Sequence, residues 1–228
     1  MARRKVEIIP NQVFVGLPWR NVRPRYESCI DNLEKKYPLH FTIVGRKDAQ
    51  DAEDLLEVIK TRIDTSSYGI FDATGGNANV SLEYGYAEAI DLPRAIYLST
   101  HKAASSSKGS AIISDLSGKR RIEYKNETSL KVQLESLCRN HDYTKRFETF
   151  LSRHGRRLRG AEKRRRRVLA LKQIHYPDGK VQVRRADLIQ AVQAAGYKTA
   201  DVEEMLKKLH SDELLNVSRG RIAKVRIA

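Results

Sequence analysis

Short apolar runs alternate with longer stretches of helical periodicity through the first part of the chain. Val13-Phe14-Val15, Leu39 to Val44, Tyr68-Gly69-Ile70-Phe71 and Arg94–Ser99 are each only a few residues long, and each ends at a Gly, Asp or polar residue, as short buried strands do. Between them the apolar positions recur every three or four residues. Tyr26, Cys29, Ile30 and Leu33 share one face within 21–36, and Leu55, Leu56, Val58, Ile59 and Ile63 do so within 48–64. Leu82, Tyr86, Ala89 and Ile90 follow in a helix expected to open near Val80, which would put Glu83 in its first turn. A first strand over 6–19 is broken at Pro10-Asn11, Arg121–Tyr124 reads as a last short strand, and a helix from 128 is expected to run to about residue 152. This alternation predicts an α/β fold with a doubly wound parallel sheet.

The pattern changes after the arginine-rich stretch 153–167. A helix over 168–174, the turn Tyr176-Pro177-Asp178-Gly179, a strand at Val181–Val183, helices at Asp187–Ala195 and Thr199–Leu209, and a hairpin around Arg219-Gly220-Arg221 follow in order. That order resembles a winged helix-turn-helix domain, a second, smaller and mainly α unit. In such domains the third helix usually enters the major groove. Here that helix opens with Asp201, Glu203 and Glu204, so nucleic-acid contact is expected from Arg164, Arg165, Arg166, Arg167, Arg184, Arg185, Arg219 and Arg221, with little sequence preference. The expected division is 1–138, a basic helix or linker over 139–167, and 168–228.

Charge supports two jobs on one chain. The net charge is +15, but residues 1–138 carry only +2 of it and residues 139–228 the other +13. A back end that basic points to a polyanion, DNA or RNA, as its partner. No apolar run approaches a membrane span, and Met1-Ala2-Arg3-Arg4-Lys5 leads into a strand rather than a signal-peptide core. Cys29 and Cys138 lack metal-ligand spacing and the six histidines are scattered, so reduced cysteines in a cytoplasmic protein and no metal site are expected. The Ala-, Ser-, Lys- and Gly-rich loop over 100–110 is either a lid or an idle connection.

The candidate chemistry lies in 68–92. Asp72 closes a strand, where ligands of α/β sheets usually bind, and a Gly-Gly-Asn-Ala-Asn turn leads into the helix that carries Glu83. Asp72, Asn77, Asn79 and Glu83 are therefore expected around one crevice. Asp72, Asn77-Ala78-Asn79-Val80 and Leu82-Glu83-Tyr84-Gly85-Tyr86-Ala87 together resemble the nucleoside 2-deoxyribosyltransferase-like, TIR-like nucleotide-binding superfamily. Val13 to Trp19 and Ser114 to Tyr124 are similar to its first and late strands, the latter as seen in bacterial nucleotide-binding effector domains. The resemblance implies a flavodoxin-like arrangement over about 8–138. It also implies Glu83 as the nucleophile that captures the sugar, Asp72 as the acid that protonates the leaving base, and Gly16, Leu17, Pro18, Trp19, Asn77 and Asn79 as nucleotide contacts. No cofactor is required, and a homo-oligomer is implied because such relatives often complete sites across subunits. Ala78, Tyr84 and Trp19-Arg20 depart from the family pattern, which alters the pocket mouth, and the Cys-containing helix motif of TIR domains is absent.

Two function classes stay open on the residues alone. One is an N-glycosidase or deoxyribosyltransferase acting on a nucleoside, a nucleotide or NAD. The other is a non-catalytic, nucleotide-sensing DNA-binding regulator or the sensor of a defence system.

Overall fold

The computed structural model describes residues 7–18, 22–45, 55–101, 120–176 and 182–227. Five strands form one parallel sheet: β1 (Ile9–Gly16), β2 (His40–Thr42), β3 (Ser66–Asp72), β4 (Arg94–Ser99) and β5 (Arg121–Tyr124), in the order β2-β1-β3-β4-β5. Helices α1 (Arg23–Glu34), α2 (Leu55–Asp64), α3 (Ala78–Ala89) and α4 (Glu127–Asn140) cover it on both faces. The chain is an α/β protein of flavodoxin-like arrangement, as its alternating pattern predicts.

The strands' period of two assigns the faces. Val13, Val15 and Ile70 pack with Tyr26 and Cys29 of α1 and Leu130 and Leu134 of α4. Phe14, Phe71 and Ile96 point the other way, onto Ile63 of α2 and Val80, Tyr84 and Ala87 of α3. Pro10 and Asn11 do not end the first strand. They sit in a register irregularity between Ile9 and Val13, where Ser67 Oγ donates to the Pro10 and Gln12 carbonyls at 2.9 and 3.0 Å. A side chain thus supplies the hydrogen bonding that the ladder loses at the bulge.

Two helix boundaries depart from the expectation. The single helix expected from 128 to about 152 is two: α4, and α5 over Asp142–His154. His141 separates them in an extended conformation (φ −67°, ψ 136°), closing α4 through its own N–H and capping α5 by accepting from the Tyr143 amide at 3.2 Å. The apolar stripe changes phase at the break: Leu130, Leu134 and Cys138 keep one phase in α4, and Tyr143, Phe147 and Phe150 keep another in α5. The second departure is at α3, where Asn77 accepts from the amides of Asn79 and Val80 and starts the helix at Ala78. Glu83 therefore lies in the second turn, beyond the reach of the helix's positive end.

The C-terminal part contains α6 (Gly160–His175), β6 (Gln182–Arg184), α7 (Arg185–Ala194), α8 (Thr199–Ser211), β7 (Leu215–Ser218) and β8 (Arg221–Lys224). Its three strands form an antiparallel sheet in the order β6-β8-β7. The basic stretch over 153–167 is largely helical: most of it belongs to the end of α5 and the first half of α6.

The two parts share one core. A single apolar cluster joins Val13, Val15 and Tyr26 to Phe147 and Phe150 of α5, Leu169 and Ile174 of α6, Leu206 of α8 and Ile222 of β8. Polar ties cross the same junction. Arg167 forks onto Glu148 at 2.7 and 2.9 Å and donates to the Lys36 carbonyl at 3.0 Å, while His175 Nε2 lies 2.8 Å from the Tyr37 carbonyl. Ile8 and Ile227 exchange both backbone hydrogen bonds, and Arg226 pairs with Glu7 at 2.7 Å.

Tyr143 of α5 is buried and its hydroxyl donates to the Leu214 carbonyl at 2.6 Å. Tyr143→Phe keeps the ring and orphans that carbonyl, so it is expected to cost about 1–2 kcal/mol. Urea unfolding should show a lower midpoint, an unchanged slope and one transition. Two transitions would mean that the halves unfold independently despite their common core.

Candidate functional site

The strand order reverses between β1 and β3, and a cavity of about 340 Å³ opens beside the carboxyl end of β1. Gly16 and Leu17 form its floor, Ile43 and Val44 one side, and Leu55, Leu56 and Ile59 of α2 another. Asn77, Asn79, Val80, Leu82 and Glu83 of the β3–α3 connection and α3 close it, with Arg23 at the start of α1. Leu56 and Leu82 are exposed at 47 and 61 %, placing two large apolar side chains at the mouth. An apolar cavity with a few polar groups at a switch point of an open parallel sheet is the usual form of a small-molecule site.

Glu83 is the chemically distinctive group. Its side chain lines the cavity, and Oε2 is shielded from solvent with no hydrogen-bond partner among the described residues. Gly16 permits this placement, because a Cβ on residue 16 would collide with that oxygen. Loss of solvent pushes the Glu83 carboxyl up from its ordinary value to about 7. A shielded carboxylate oxygen without a partner among the described residues is costly unless something else, such as a ligand, engages it.

Asp72 is placed differently. It does not line the cavity among the described residues, and its side chain is fully buried. Oδ2 accepts from the Tyr26 hydroxyl at 2.9 Å and the Tyr124 hydroxyl at 2.7 Å, and Oδ1 accepts from the Thr74 amide at 2.9 Å. Burial raises its pKa while these donors oppose the rise. Of the four side chains expected around one crevice, the cavity thus gathers Asn77, Asn79 and Glu83.

The remaining expected contacts divide. Gly16 and Leu17 line the cavity, Pro18 does not, and Trp19 lies outside the described residues, as do the loop over 102–119 and the segment over 46–54. Asn77 lines the cavity with its side-chain oxygen engaged in capping α3. Sequence reasoning missed Arg23 and the α2 wall. Arg23 was masked by its place in a helix with three nearby charged residues, and its Nε donates to Glu27 at 2.6 Å. Leu55 and Ile59 were read only as part of a helix face, a signal that does not say whether the face meets the sheet or a cavity.

The arginines expected to meet nucleic acid are also unequal. Arg167 holds Glu148, Arg166 lies 4.0 Å from Glu204, and Arg185 lies 3.2 Å from Glu203. Arg165 donates to the Gly196 carbonyl at 3.0 Å and stacks on Tyr197, and Arg184 pairs with Asp187 at 3.0 Å. Arg164, Arg219 and Arg221 are exposed and have no acidic partner among the described residues.

Among the described residues no group of three or more His, Cys, Asp and Glu is arranged to hold a metal ion, and no helix is long and apolar enough to cross a membrane. No protein-family model matches the chain, and no curated protein does. A solved structure of a 2-desoxiribosyltransferase from Leishmania mexicana is similar over 55 % of this chain and 98 % of its own, at 15 % identity and a TM-score of 0.43. A likeness at that level carries no functional weight.

The Glu83 shift has a sign that stability can test. The fold binds the carboxyl proton more tightly than the unfolded chain does. Stability is therefore fully present below pH 4.5 and falls as pH rises through about 7. Glu83→Gln, which mimics the neutral form, is expected to stabilise the protein by up to about 3 kcal/mol at pH 8 and to change little at pH 4. Denaturant melts at the two pH values measure the difference; equal effects at both would mean that Glu83 is not held neutral by the fold.

Proposed function

We propose that the cavity binds a nucleoside or nucleotide and that Glu83 cleaves its glycosidic bond. The observation that carries this reading is the unpaired, shielded Glu83 carboxyl beside Gly16. The resemblance of 77–87 to the nucleoside 2-deoxyribosyltransferase-like superfamily supplies the substrate class. In the proposed reaction the Glu83 carboxylate attacks the anomeric carbon through an oxocarbenium-like transition state. The carbon–nitrogen bond breaks, its electron pair leaves with the base, and the base takes a proton from water. A second water then hydrolyses the glycosyl ester, releasing the sugar and restoring the carboxylate. An incoming base in place of that water would make the reaction a transfer.

Other groups have supporting roles. Asn79 lines the cavity and can hydrogen-bond a sugar hydroxyl, and Leu56 and Leu82 offer apolar cover for a base. Arg23 and the start of α1, whose N-cap Val22 provides no side-chain cap, favour an anionic substituent such as a phosphate. Asp72 acts as a positioning residue. By holding Tyr26, Tyr124 and the Thr74 amide, it fixes the turn from which α3 starts.

The C-terminal part supports a second function on the same chain. Its order of helix, strand, two helices and hairpin, with the sheet order β6-β8-β7, supports a winged-helix reading. With a charge of +13 over 139–228, we infer that it binds nucleic acid. The non-catalytic alternative, a nucleotide-responsive nucleic-acid-binding regulator, uses the same cavity without turnover.

The purified chain, incubated with a panel of nucleosides, 5′-nucleotides and NAD with and without DNA, is expected to release free base from at least one of them, as read by chromatography. The rate should rise with pH through about 7, since the attacking carboxylate must be ionised. Glu83→Gln should lower it by at least about 100-fold. A ligand that raises Tm with no base released under any condition would overturn the glycosidase in favour of the regulator.

A further inference from the structure

The arginines of the C-terminal part sort themselves by what already neutralises them. Arg166 and Arg185 are spent on Glu204 and Glu203, both on α8, and Lys208 pairs with Glu204 as well. Asp201 and Glu204 remain exposed on the first half of that helix. Helix α8 therefore presents a phosphate backbone with a surface that is acidic at one end and internally paired elsewhere.

The wing sheet is different. On the inner side, Val183, Ile222 and Val217 stand in register across β6, β8 and β7. On the outer side, Arg184, Arg221 and Ser218 form one row and Gln182, Ala223 and Asn216 the next. Arg184 and Arg221 are directly opposite one another and both exposed. Like charges in that relation repel, and Asp187 compensates only the first, at 3.0 Å. Arg219 stands beside them at the turn, and that turn is anchored: the Arg185 amide donates to the Gly220 carbonyl at 2.9 Å. Three arginines with one acid, on a hydrogen-bonded and tethered hairpin, form a preorganised cationic face.

We propose that the outer face of the wing sheet, through Arg184, Arg219 and Arg221, is the surface that grips the sugar–phosphate backbone of nucleic acid, and that helix α8 does not enter the groove. This rests on the winged-helix reading given above. The face reads charge rather than bases. Its short polar neighbours Ser218, Asn216 and Gln182 can donate to phosphate oxygens beside the arginines.

Fluorescence anisotropy of the full chain on a labelled duplex of about 20 bp and on a single strand of the same length, from about 50 to 200 mM salt, tests this. Arg219→Gln and Arg221→Gln are each expected to weaken binding to every sequence tried and to reduce the slope of log affinity against log salt by about one. Lys207→Gln, an exposed change on α8, should leave both unchanged. Without nucleic acid, Arg221→Gln should show an equal or higher Tm, because it removes the repulsion with Arg184. Arg219→Gln, at the exposed turn, reports on binding even where the other variant disturbs the hairpin. Wild-type binding that both wing variants retain, or that Lys207→Gln weakens, would overturn the assignment of the surface alone. A wild-type chain that binds neither strand form would overturn the winged-helix reading with it.

Discussion

One buried carboxylate holds together the parts that make the candidate site. Asp72 lies at the end of the central strand, fully out of water, and collects a hydroxyl from α1, a hydroxyl from β5 and an amide from the turn that leads to α3. Removing water from a carboxylate costs several kcal/mol, and three donors at 2.7–2.9 Å are what make the burial tolerable. The same bonds are directional. They fix α1 on one face of the sheet and the β3–α3 turn at its edge. Gly75 and Gly76 complete that turn with positive φ (77° and 62°), a backbone geometry that residues with a Cβ rarely adopt. Asn77 then caps α3, and the helix delivers Glu83 over Gly16. Glu83 is thus set over Gly16 by a turn that Asp72 and Asn77 hold in place.

The sheet was legible because parallel strands buried on both faces read as short apolar runs, and the helices between them kept their period. What the pattern could not carry was any choice made by tertiary contact. Position 141 reads as the inside of a helix because no Gly or Pro interrupts 128–152, although the apolar stripe of Leu130, Leu134 and Cys138 is out of phase with that of Tyr143, Phe147 and Phe150. His141 breaks the helix because its side chain caps the next one, which lets α5 turn its aromatic face into the core shared with α6 and α8. Pro10-Asn11 signalled a break for a sound local reason, the missing N–H. The break is absorbed as a bulge because Ser67, 57 positions away from Pro10, supplies the hydrogen bond.

The site was legible in part, and for two distinct reasons. Glu83 and the Asn-rich turn were found because strand end, turn and helix follow one another in a contiguous segment, whereas Arg23 and the α2 wall reach the cavity only by folding. Asp72 was correctly seen at a strand's end, but strand ends have two faces. In β3, Phe71 faces α3 with the cavity side and Asp72 faces α1, a difference of one residue that flips the side chain to the other layer. The arginines show the same limit. A run of four identical residues at 164–167 has one exposed and unpaired member, one stacked on Tyr197 and two set against acids, because a helix turns each of them through about 100°.

The charge asymmetry points to two jobs on one chain, and the two halves nevertheless share one apolar cluster. Two arginines of the basic part reach across, Arg167 to the Lys36 carbonyl and Arg226 to Glu7. The connection also runs through the backbone. Strand β8 leads directly to Ile227, which exchanges both hydrogen bonds with Ile8, and Ile8 leads into β1, whose far end is the cavity floor at Gly16. Ile227, Ile8 and Gly16 thus lie on one continuous run of paired backbone that joins the C-terminal hairpin to the cavity floor.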